Sequence, residues 1–94
     1  MEQKIPIKAR DENLKGVYSN SMQVTHSKEE FVLDFFLTFP PTGVLTSRVI
    51  MSPGHLKRMI KALQENVSIY EGKFGKIEEA EGPEVKMGFS AEEK

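Results

Sequence analysis

Residues 30–51 read EFVLDFFLTFPPTGVLTSRVIM, and the way this stretch pairs with itself decides the fold. Its odd positions Phe31, Leu33, Phe35, Leu37 and Phe39 are all apolar, whereas the even positions Val32, Asp34, Phe36 and Thr38 are mixed. Successive strand side chains point to opposite faces, so residues 30–39 predict a central strand, fully buried on one face and partly on the other. Pro40-Pro41-Thr42-Gly43 breaks it, because two prolines cannot donate to a ladder. Val44 to Met51 predicts the next strand. Pairing residues whose numbers sum to 82 sets Phe31 opposite Met51, Leu33 opposite Val49 and Leu37 opposite Leu45. On the other face it sets Asp34 opposite Arg48 and Val32 opposite Ile50. A slip of one residue would leave Asp34 without a cation, so the hydrophobic and charge matches select one register.

Working outward, Val17 to Thr25 alternates Tyr18, Met22 and Val24 with polar residues, the period of a half-buried strand. His26-Ser27-Lys28-Glu29 suits a hairpin loop. Before it, residues 1–15 form an N-terminal arm whose Ile5-Pro6-Ile7 can be at best an edge strand. After the sheet, Ser52-Pro53 predicts a helix start, with a hydroxyl to cap free amides and proline at the first helical position. Leu56, Met59, Ile60, Leu63, Val67 and Tyr70 recur at three- and four-residue spacing as one apolar stripe. Gly72 is the expected stop, and Phe74 and Ile77 are expected to fold back on the core.

The predicted class is α+β: a three- to four-stranded antiparallel meander followed by one C-terminal helix. Residues 16–77 form the domain and residues 78–94 a flexible acidic tail. One helix covers one face of such a sheet, so Val32, Phe36, Val44 and Ile50 on the other are the candidate face of a homodimer or higher oligomer.

Composition narrows the chemistry. The chain of 94 residues has no cysteine, which excludes disulfides and thiol catalysis and suits a reducing cytoplasm. No run is long enough to span a membrane, and the N-terminus lacks the apolar stretch of a signal peptide. Residues 78–94 carry six acids and two bases, so the remaining residues hold eleven bases against eight acids, a body of +3. Two histidines, His26 and His55, are too few for a zinc site. No nucleophile elbow, phosphate loop or paired carboxylates appear, so neither an enzyme nor a cofactor is expected. Asp34 and Arg48 read as a structural cross-strand ion pair. Tyr18 and Asn20 share a strand face; Asn20 either bridges to neighbouring backbone, marks a bulge or joins a ligand surface.

The strings GVYSN at 16–20, EFVLDF at 30–35 and SRVIMSPGHLKRMIKALQENVSIYEGKFGKI at 47–77 resemble one small bacterial and archaeal family. It is a domain of unknown function, number thirty-four sixty-seven. The resemblance covers residues 16–77, leaves out the arm and tail, and implies a soluble cytoplasmic protein with no established activity. The signature residues coincide with the core, ion pair, cap and helix stripe.

The reading that follows is an oligomeric interaction module without catalytic machinery. Strands followed by a capped helix are also similar to single-stranded nucleic-acid binders of the whirly or coactivator type. Lys57, Arg58 and Lys61, with Tyr18 and Asn20, would be the contacts there, and the +3 body would make such binding weak. A third reading is a protein-binding adaptor resembling SecB-like chaperones, with methionines giving an adaptable surface.

Overall fold

The structure is a computed structural model that describes residues 3–80. A short helix α1 (Asp11–Lys15) precedes strands β1 (Ser21–His26), β2 (Phe31–Phe39) and β3 (Thr42–Met51), and the helix α2 (Pro53–Phe74) follows. The three strands form one antiparallel meander in the order β1-β2-β3. Ile5-Pro6-Ile7 adds no fourth strand: these residues lie outside the sheet, and Ile5 and Ile7 are exposed. Their one proline and short apolar run offer too little to hold an edge.

β2 and β3 hold the expected register from Phe31↔Met51 to Phe35↔Ser47 and then shift by one, so that Phe36 faces Leu45 and Leu37 faces Val44. Thr46 is the extra residue of this β-bulge, and its hydroxyl donates to the Phe35 carbonyl at 3.0 Å. Leu37 therefore lies opposite Val44, not Leu45. The turn shortens to match: β2 ends at Phe39 and β3 already begins at Thr42, leaving Pro40-Pro41 as the link.

β1 begins at Ser21, four residues later than the alternation suggests, and Val17 and Tyr18 stand exposed ahead of it. Side chains replace the backbone there. The Asn20 amide donates to the Thr38 carbonyl at 3.0 Å and its Oδ1 accepts the Thr38 N–H at 2.9 Å. The Ser19 hydroxyl donates to the Phe36 carbonyl at 3.0 Å, and Ser21 and Thr38 join hydroxyls at 2.8 Å. Asn20 thus copies the pattern of a strand residue with its side chain.

At the helix start, Ser52 Oγ accepts the His55 N–H at 3.2 Å with Pro53 in the first turn. Ser52→Ala should cost about 1 kcal/mol, read as a lower urea midpoint at unchanged slope. Gly72 does not stop α2. The helix runs through it to Phe74, and Gly75, at φ 96°, ends it. Glycine inside a helix costs only about 1 kcal/mol, which the neighbouring turns outweigh. A Cβ at Gly72 would meet nothing within 4 Å, so Gly72→Ala should stabilise the protein by roughly 0.5–1 kcal/mol, measurable in the same titration.

The chain buries little on its own. Leu33 and Phe36 are the buried apolar residues among those described, and α2 has no buried residue at all. The extensive contacts between elements join neighbouring strands, and α2 makes none of that extent with the sheet. The radius of gyration is 16.3 Å, where a compact chain of this length would have about 12 Å. Phe74 and Ile77 do not fold back on the sheet: both are exposed, and the Phe74 ring lies tilted against that of Tyr70, ring centroids 5.0 Å apart. Leu56 and Met59 near its start are half-buried, but from Ile60 onward the apolar line of the helix is left exposed.

Candidate functional site

Directly opposed strand residues share a face, so the bulge divides the set expected to form an oligomer face. Val32, Phe36 and Ile50 stay together and gain Leu45, while Val44 moves to the face of Leu37. Phe36 is not wet either; it is buried within the single chain, beside buried Asp34 and Thr38. Val44 and Ile50 remain exposed. The expected patch is therefore smaller than the even-position pattern suggests, because one inserted residue flips everything beyond it.

On the face of Phe36, Asp34 and Arg48 meet at register partners. The Arg48 Nε donates to Asp34 Oδ1 at 2.6 Å and its Nη2 to Oδ2 at 3.0 Å, a two-pronged pair. The two ends differ in exposure. The Asp34 side chain is 5% exposed and that of Arg48 is 48% exposed. The hydrogen bond to Asp34, then its charge, pushes the Arg48 guanidinium above its ordinary value, so the cation persists at any ordinary pH. Beside the pair, the Gln23 carbonyl Oε1 is buried with no protein partner.

A line of uncovered apolar side chains lies on α2, which the sequence pattern assigns to the core. Ile60, Leu63, Val67, Tyr70 and Phe74 are between 43% and 72% exposed and follow Leu56 along one line of the helix. Lys57, Arg58 and Lys61 are exposed on the same helix, and Arg58 reaches the His55 ring at 3.2 Å. Tyr18 is exposed, and Asn20 spends its side-chain amide on the Thr38 backbone. The acidic tail from residue 81 lies outside the described residues.

No group of three or more metal-ligating side chains occurs among the described residues. His26 stacks on Phe31, with ring centroids 5.1 Å apart. No helix among the described residues is long and apolar enough to cross a membrane.

A three-stranded meander with a long, unburied C-terminal helix defines a small α+β protein whose most conspicuous feature is an apolar helical face. The chain belongs to the family described as "Protein of unknown function (DUF3467)", which it matches over residues 1–79. The match takes in the N-terminal arm that the motif resemblance left out. No curated protein and no solved structure matches the chain.

Proposed function

We propose that this protein works as a homodimeric interaction module with no catalytic machinery of its own. The observation that carries the reading is α2: a 22-residue helix with a continuous apolar line and no buried residue. Exposed apolar patches of this extent mark surfaces that another protein covers. A second copy is the economical cover, because every chain that needs one then also supplies one.

An interior anchored on Leu33 and Phe36 supports the same reading, since small domains lacking disulfides or metal commonly complete their core by association. Light scattering on the full chain tests it. A dimer with little binding of a hydrophobic dye is expected, and a stable monomer with little dye binding would contradict it. The nucleic-acid reading has less support: Lys57, Arg58 and Lys61 are exposed, but they sit on a body of only +3.

A further inference from the structure

The apolar line on α2 has a regular interval. Leu56, Ile60, Leu63, Val67, Tyr70 and Phe74 are separated by four, three, four, three and four residues. That is the heptad spacing of a coiled-coil seam, with Ile60, Val67 and Phe74 at one core position and Leu56, Leu63 and Tyr70 at the other. We infer that α2 pairs antiparallel with α2 of a second copy, an assignment that rests on the homodimer proposed above and specifies its interface.

Three features favour this occupant and this direction. Run antiparallel, the seam is complementary to itself: Leu56 meets Phe74 of the second copy, Ile60 meets Tyr70, and Leu63 meets Val67. Every layer sets a smaller side chain against a different one, with both aromatic residues at one end of each helix facing aliphatic residues at the other. A parallel pair would stack Phe74 on Phe74 and Tyr70 on Tyr70.

The flanking charges agree. In the antiparallel arrangement Lys57 of each copy borders Glu71 of the other, giving two symmetric ion pairs, while Gln64 and Asn66 each face their own counterparts. In a parallel pair Lys57 would border Ser52 and Glu71 would border Asn66. The other two parallel pairings are Met59 with Gln64, which joins no charges, and Lys73 with Glu78, which would need a glutamate that lies beyond the end of the helix at Phe74.

The area is sufficient. The exposed parts of Ile60, Leu63, Val67, Tyr70 and Phe74 amount to on the order of 500 Å² per copy, so two copies reach the roughly 1,000 Å² that marks a specific interface. The pairing also carries Phe74 of one copy to the start of the other's α2, next to the sheet. The aromatic contact expected within one chain is then made between two.

A charge-exchange cycle on the full chain tests the direction. Lys57 and Glu71 lie 14 residues apart, about 21 Å along one helix, so they do not interact within a chain. Lys57→Glu and Glu71→Lys should each weaken the dimer about fivefold to tenfold by sedimentation, and the double exchange should restore it to within about twofold of the parent. A double exchange as weak as the sum of the singles, or singles without effect, would overturn the antiparallel pairing while leaving a dimer in place.

Because the chain has no cysteine, a second readout is clean. A Leu56→Cys, Phe74→Cys variant, oxidised and digested, should join position 56 of one copy to position 74 of the other. Bonds of 56 to 56 and 74 to 74 would establish the parallel pair instead. A monomeric parent chain would refute the homodimer itself.

Discussion

Leu63→Asp is expected to dissociate the dimer by more than about a thousandfold and to lower the melting temperature sharply. Exposure decides the size of the effect. In the single chain Leu63 is 57% exposed, so a monomer should accept the aspartate at almost no cost. Paired with a second α2, the same position lies in the central layer, and each dimer would then bury two carboxylates without cations. Burying an unpaired charge costs several kcal/mol, and each 1.4 kcal/mol is a factor of ten in the dissociation constant. Sedimentation of the parent and the variant over a range of concentrations checks both parts. A variant that keeps the parent's mass and melting temperature would show that Leu63 faces water.

The second large effect concerns the ion pair, and the direction of the asymmetry is the point. If the whole pair lay on a packed face, Asp34→Ala would be the damaging change, because it would strand a cation there. The geometry reverses this. The Arg48 side chain is 48% exposed, so water reaches it when Asp34 is removed, whereas the Asp34 carboxylate sits at 5% exposure. Arg48→Ala should therefore be the worse variant: it leaves a buried carboxylate unpaired, a loss of about 1–3 kcal/mol or more for the Asp34 site. Arg48→Lys should recover only part of the loss, since an ammonium cannot make both prongs. Urea titrations of the three variants decide the order. Asp34→Ala falling below Arg48→Ala would place the cation, not the carboxylate, in the drier setting.

How far the sequence can be read depends on the physics at each element. The centre of the hairpin was legible because apolar pairing and the Asp34–Arg48 match demand the same register from Phe31 to Phe35. Beyond Phe35 that agreement vanishes. Val44 and Leu45 are both apolar, so nothing in the pattern opposes a one-residue bulge at Thr46, and Val44 leaves the face of Val32 and Ile50 for that of Leu37. The start of β1 was hidden because Asn20 takes up ladder bonds with its side chain, which no alternation of polar and apolar residues reveals.

The helix was legible in its start and stripe, and misread at Gly72 because one glycine is a weak stop. What covers that stripe is less legible. An apolar stripe records that a helix face is covered, not by which surface; intramolecular packing and pairing with a second copy leave the same spacing. The exposure of Ile60, Leu63, Val67, Tyr70 and Phe74 in the single chain, which the spacing does not reveal, is what sets the two apart.

The central claim is that this chain completes its fold with a second copy of itself. Light scattering coupled to size exclusion, on the full chain at micromolar concentration, tests it most directly. The account predicts a single species at about twice the chain mass of 10.6 kDa, unfolding in one transition whose midpoint rises with protein concentration. A species at 10.6 kDa whose cooperative unfolding is independent of concentration would contradict it.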